Sequence, residues 1–229
     1  MKRTDLYFAL VMLAIFVPFF VSSDLYAWYK TFNAEHAMVM AFAKFALLST
    51  LGEMLGCRIS TGNYTTPTFG VLPRMVVWGL LGMAISMAMT VFSAGIPAFI
   101  TNMGGAELVA GFYAEGLSWG KFVVALSISV MMNTFFAPVF MTFHKITDTH
   151  IAENGGSLKA LVRPIDMRRH IMELNWDRQW SFIFKKTIPL FWYPAHTITF
   201  MLPSELRVLF AALLGVALGV LLAIGARKK

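Results

Sequence analysis

The sequence predicts an all-α polytopic membrane bundle of about six transmembrane helices, and three observations carry that expectation. Charged residues make up only 14% of the 229 residues and the mean hydropathy is +0.67, whereas a soluble domain carries about a quarter charged residues. Apolar runs of spanning length recur along the chain between short polar segments. The basic residues concentrate in alternate connections, which is how orientation is encoded in membrane proteins. The chain, 1–229, reads as a single transmembrane domain with no separate soluble module. The lone Cys57 excludes an internal disulfide, and the net charge of +7 reads as topology rather than a nucleic-acid footprint.

The first apolar run, 6–22, follows Lys2 and Arg3 and has the outline of a signal peptide. We read it as an added, uncleaved helix that Pro18 bends or ends. Residues 24–33 read as a short aromatic loop (Tyr26, Trp28, Tyr29) suited to the membrane interface. A second helix is expected over 34–57, with Lys44 near its centre, Glu53 near its end and a GxxxG spacing at Gly52 and Gly56. Residues 58–74 are polar and rich in turn formers, and a third helix follows over 75–93. Residues 94–120 contain no Lys or Arg and hold short apolar pieces that dip into the interface or re-enter. A fourth helix over 122–143 is interrupted by Asn133 and kinked by Pro138.

The stretch 144–186 is the one substantial polar segment, with eight Lys/Arg against five Asp/Glu. Its end places Trp176 and Trp180 one turn apart, as in a short helix lying on the headgroups. A fifth helix over 187–203 is only about 25 Å long against a hydrocarbon core of about 30 Å. It lies within the segment FWYPAHTITFMLPSELR (191–207), where Pro194 and Pro203 flank His196, Thr197 and Thr199. A plain lipid anchor needs none of these. Helix six, 206–226, starts at a Ser204–Glu205 cap and carries a second GxxxG at Gly215 and Gly219.

Topology follows from the bases. Lys2/Arg3, Arg58/Arg74, the 144–186 loop and Arg227–Lys229 are expected on one cytoplasmic side, with both termini there, in a bacterial inner membrane. Segments 24–33, 94–120 and 203–205 are expected opposite. Six crossings satisfy this pattern; five would put the terminal basic cluster on the wrong side.

Four helices place a polar residue at similar depth: Lys44, Ser86, Asn133 and His196. A Lys at the bilayer centre costs about 2.5–3.5 kcal/mol on insertion scales. Glu53 is nine residues from Lys44, about 180° around the helix, and points away from it. Lys44 is therefore either a snorkelling or locally satisfied residue, or the lining of a path that favours anions. Asn133 and His196 read as interhelical hydrogen bonders or as path residues, with Thr197 and Thr199 bearing on more than one face. Glu53 is placed to pair with Arg58 or Arg74. Trp176, Trp180 and Trp192 read as interfacial anchors. There is no HExxH, Cys pair, GxGxxG, Walker loop or GxSxG. No metal or cofactor is expected, and His144 and His150, six apart, do not share a helix face.

The C-terminal pattern Trp180, Lys185, Ile188-Pro189, Trp192, Pro194, Phe200, Pro203, Arg207 resembles the end of the Mpv-type family of small peroxisomal and mitochondrial membrane proteins. That family's signature there is W-x-x-W-P-x-x-Q-x-x-N-F-x-x-V-P-x-x-x-R. Gly52-Glu53 stands where the family has Gly-Asp, Arg74 with Gly82 matches its second core helix, and Asn133 to Pro138 takes the place of its Gln before a helix Pro. The resemblance covers 34–226. Tyr193 intervenes before Pro194, the Trp192–Pro203 interval is about one residue shorter, Met132 replaces an Asp, and His196 and Thr199 stand near the family's Gln and Asn. This resembles a distant, bacterial-type member with a four-helix core plus added N- and C-terminal helices. The resemblance implies a membrane protein, some of whose relatives are associated with channel activity.

The expected function is a small channel for solutes or ions, not an enzyme, lined by Lys44, Ser86, Asn133, His196, Thr197 and Thr199, with Lys44 biasing it to anions. Glu53, Arg58, Arg74 and Arg207 would be structural. The expected partners are membrane lipids and a second copy joined through the faces of Gly52, Gly56, Gly215 and Gly219, with no nucleic acid. Two alternatives stand beside it: a non-transporting assembly subunit, and an intramembrane lipid-modifying enzyme using His196 or His144 as a base, which needs a carboxylate or second His within reach.

Overall fold

The computed structural model describes residues 3–227, and among them every regular element is helical. The chain runs α1 (Arg3–Val21), α2 (Ser23–Glu35), α3 (Ala37–Thr61), α4 (Val71–Asn102), α5 (Ala106–Tyr113), α6 (Trp119–Phe135) and α7 (Ala137–Glu153). A 3-10 turn (Leu158–Leu161) and α8 (Met167–Glu173) follow, then α9 (Trp176–Arg178), a π-helical stretch (Gln179–Trp192), α10 (Tyr193–Met201) and α11 (Ser204–Arg227). By length and hydropathy α1, α3, α4 and α11 are each able to cross a membrane. The pair α6–α7, bent by 46° at Phe136, makes a fifth if taken as one span. The bend lies where Pro138 withholds an N–H from the helical ladder.

Three elements differ from expectation. The aromatic loop 24–33 is the helix α2, started by Ser22, whose Oγ accepts from the Leu25 N–H at 3.2 Å. Its Tyr26, Tyr29, Lys30 and Asn33 follow a helical spacing that the aromatic content obscured. The 144–186 segment is not one loop: α7 carries on to Glu153, and the remainder is an ordered lobe. Arg169 holds Glu153 through two hydrogen bonds of 2.5 and 2.9 Å, and this pairing raises the Arg169 pKa further. Finally, Trp176–Lys186 and the fifth helix are one continuous run from Trp176 to Met201. Pro189 and Pro194 lie five apart within or just after its π-helical part. A proline ring clashes with the carbonyl four residues back, and the wider π turn relieves that clash. The Thr187 hydroxyl donates five residues back, to the Phe182 carbonyl, at 3.2 Å.

The core joins α3, α4, α6, α10 and α11 around Phe45, Leu48, Ile85, Val124, Ile128, Met132 and Phe200. Small residues set its close approaches. A Cβ on Gly82 would run into the Phe45 side chain. A Cβ on Gly52 would lie 2.9 Å from Val216 Cα, and one on Gly56 would lie 3.5 Å from the Gly219 carbonyl oxygen. The two GxxxG faces expected to join two copies thus pack against each other, α3 on α11, inside one chain. Helix α1 has no buried residue and is tied to the bundle by Asp5, which pairs with Arg58 at 2.7 Å.

The lobe docks where two backbones cross. Gly156, at φ +67, would carry a Cβ 2.7 Å from the Gly70 nitrogen, whereas Gly155, at φ +65, has nothing within 4 Å. Gly155→Ala should therefore cost about 1 kcal/mol from the left-handed backbone alone. Gly156→Ala adds a backbone clash and should cost about 2–4 kcal/mol. Thermal unfolding of the two variants in mild detergent measures the difference; equal losses would show that the crossing is not tight.

Candidate functional site

Two cavities enter the bundle from its opposite ends. The larger, about 490 Å³, starts at Lys145, Asn175 and Arg178 and reaches Asn133 and His196 in the interior. Its walls are mostly apolar, including Phe45, Ile85, Met132, Phe136 and Phe140.

Near its entrance Arg74, Glu53, His144 and Asp148 form one ionic cluster. Arg74 Nη1 donates to Glu53 Oε2 and to Asp148 Oδ1, each at 2.5 Å, and its Nε donates to the Phe69 carbonyl at 2.6 Å. His144 Nε2 lies 3.1 Å from Glu53 Oε1 and 3.6 Å from Asp148 Oδ1, and its ring packs 4.3 Å from the Trp78 ring. These side chains are only 12–20% exposed, so each carboxylate depends on its partners for charge compensation. Glu53, His144 and Asp148 offer one ligand atom each, all within 4.8 Å of one another. A divalent cation there would compete with Arg74, which already bridges both carboxylates.

At the inner end Asn133 is held by its own helix and by α10. Its Nδ2 donates to the Ser129 carbonyl at 2.8 Å and to His196 Nδ1 at 3.0 Å, which leaves the imidazole proton on Nε2. The Trp192 ring packs 4.9 Å from His196. The Ser129 hydroxyl donates to the Tyr193 carbonyl at 2.8 Å, a carbonyl that also accepts from Thr197 Oγ1 at 2.7 Å. Four buried side-chain polar atoms have no hydrogen-bond partner among the described residues: Ser49 Oγ, Thr50 Oγ1, Trp78 Nε1 and Trp192 Nε1. Three of these belong to residues that line the cavity.

The second cavity, about 450 Å³, lies at the other end, between α5, α6, α10 and α11. Phe112, Tyr113, Lys121, Phe200 and Arg207 line it. Arg207 donates to the carbonyls of Leu202 at 3.0 Å and Phe200 at 3.1 Å, closing the end of α10, and its guanidinium sits 5.8 Å from the Phe200 ring centre. His196 lines one cavity and Phe200 the other. They are one turn apart on α10, with ring centres 6.4 Å apart. Phe200, Val124, Ala125 and Ile128, all 0% exposed, and Met132 at 1%, belong to one packed core cluster, in which Met132 lines the first cavity and Phe200 the second.

Of the residues read from the sequence as path lining, Asn133 and His196 meet at the inner end of the first cavity. Lys44, Ser86, Thr197 and Thr199 line neither cavity. Lys44 is buried and its Nζ donates to Asn33 Oδ1 from α2, beneath the Tyr29 ring. The Thr199 hydroxyl is satisfied within α10, by the Ala195 carbonyl at 2.9 Å. Glu53 pairs with Arg74, while Arg58 pairs with Asp5. Trp176 and Trp180 are exposed, but Trp192 lines the cavity. Sequence reasoning missed Asp148; its position four after His144 on one helix face was the available signal. No family model, curated protein or solved structure matches the chain.

Proposed function

We propose that the protein is a small membrane conduit for small solutes, gated between its two cavities. In this reading the bundle crosses the membrane six times, the helical run from Trp176 to Met201 being taken as a sixth span beside α1, α3, α4, the bent α6–α7 pair and α11, with both termini on the base-rich side, and the chain is a distant, bacterial-type member of the Mpv-type family set in the inner membrane. The observation that carries this reading is that two cavities from opposite ends stop one helical turn apart, at His196 and Phe200. The ring centres of these two residues lie 6.4 Å apart. A preference for anions draws support from Lys145 and Arg178 at one entrance and Lys121 and Arg207 at the other, rather than from Lys44.

Solute flux in proteoliposomes tests it. His196→Leu and Asn133→Leu leave a polar partner unpaired at the narrow end and should lower flux about tenfold. Chloride should pass more readily than potassium. A protein that carries no solute, or whose flux ignores both substitutions, is not a conduit of this kind.

An intramembrane lipid-modifying enzyme is the second reading, favoured by His144 Nε2 lying 3.1 Å from Glu53 Oε1. That is the base-and-carboxylate pairing such chemistry needs. Lipid-ester turnover that His144→Gln abolishes while flux persists would select it.

A further inference from the structure

The geometry points to a second property of the larger cavity: it binds one single-chain amphiphile with an anionic head, the head at Lys145 and Arg178 and the chain in the apolar interior. This goes beyond the conduit reading and holds whether or not solutes pass.

Charge comes first. Arg74 bridges Glu53 and Asp148, and His144 Nε2 lies 3.1 and 3.6 Å from their oxygens, so both carboxylates already have partners within the cluster. Lys145 and Arg178 both line that end, and neither forms an ion pair among the described residues. The elements that carry them are joined by Gln179, which donates to Thr142 Oγ1 at 3.4 Å. An anion placed there meets the exposed side chains of Lys145, Arg178 and Asn175.

Shape and polarity come next. The volume of about 490 Å³ lies in the roughly 300–1,000 Å³ range of ligand pockets. Its lining runs from Lys145 and Arg178 to Asn133 and His196, and its apolar walls include Phe136, Phe140, Met132 and Ile85. Such walls gain little from a small hydrophilic ion and much from an alkyl chain, at about 0.8 kcal/mol per buried methylene. One chain suits the space, and a diacyl lipid would have to leave its second chain outside.

The cavity carries its own reporters, Trp78 and Trp192. A long-chain fatty acid brominated at mid-chain, added to the full-length protein in mild detergent, should quench tryptophan emission saturably at one molecule per chain. Lys145→Gln with Arg178→Gln, both on exposed side chains, should weaken that binding about tenfold. Trp78→Phe with Trp192→Phe should remove most of the saturable quenching. The brominated alcohol of equal length should bind at least tenfold more weakly, and inorganic phosphate should not displace the acid.

Several results would overturn the proposal. Quenching that rises without saturating means partition into the micelle only. Equal affinity for acid and alcohol, or no effect of the charge substitutions, means no anion recognition. Displacement by phosphate alone means a soluble-anion site. Because the readout is binding, a failed flux assay leaves it intact, and its own failure leaves the conduit standing.

Discussion

Replacing Arg74 by leucine should destabilise the protein by about 3–5 kcal/mol, the cost of breaking a buried ion pair by removing one partner. The guanidinium joins three elements: α4, which carries it, α3 through Glu53, and α7 through Asp148. Without it two carboxylates, each about one-fifth exposed, face each other beside a single imidazole. The loss should appear as a lowered midpoint in thermal or denaturant unfolding in mild detergent. Lysine should recover only part of it, because an ammonium lacks the planar fork that also reaches the Phe69 carbonyl. The informative control is the triple variant Arg74→Leu, Glu53→Gln, Asp148→Asn. Removing the orphaned charges should restore much of the stability, since a neutral cluster needs no counter-ion. If Arg74→Leu unfolds within about 1 kcal/mol of the parent, the cluster does not hold α3, α4 and α7 together.

Phe200→Ala should do two things at once. It should cost about 3–5 kcal/mol of stability, as truncation of a fully buried phenylalanine does. It should also join the two cavities, because Phe200 lines one and stands a turn from His196, which lines the other. Solute flux in proteoliposomes should then rise, about tenfold or more, even though the protein is less stable. Phe200→Leu should fall between parent and alanine on both measures. Ile198, on the same helix but 53% exposed, provides the control: Ile198→Ala should leave flux unchanged. A variant that loses stability without gaining flux would place the barrier elsewhere.

Parts of the site were legible in the sequence. The matching positions of Asn133 and His196 within their helices correspond to a 3.0 Å hydrogen bond, because residues at equal depth in packed helices are the ones able to meet. Glu53 beside Arg74 was legible for the same reason, both lying at the base-rich ends of neighbouring helices. Lys44 was ambiguous for a physical reason. Its acceptor, Asn33, sits on a short helix whose aromatic content reads as an interfacial loop, so the carbonyl that satisfies the ammonium had no assigned position. The break expected after Lys186 is absent because hydropathy changes there while the backbone does not. The π turns carry the helix through Pro189 into α10 and bring Trp192 into the cavity wall. The GxxxG spacings announced close helix contacts but not partners; Gly52 meets Val216 and Gly56 meets Gly219 of the same chain.

Composition and spacing along the chain settle the class of this protein: a helical bundle with several segments apolar and long enough to cross a membrane, its polar residues set at particular positions within them. Those are properties of composition and one-dimensional spacing, and they survive any arrangement of the helices. Tertiary structure alone decided which polar groups cancel and which remain available. Arg74 is spent between two carboxylates and Lys44 on an amide, while Lys145 and Arg178 line a cavity entrance without an ion pair among the described residues. That distinction depends on helix rotation and on contacts between residues 74 positions apart, as for Arg74 and Asp148, and 91 apart, as for Glu53 and His144, and rotation and long-range contact are fixed by packing.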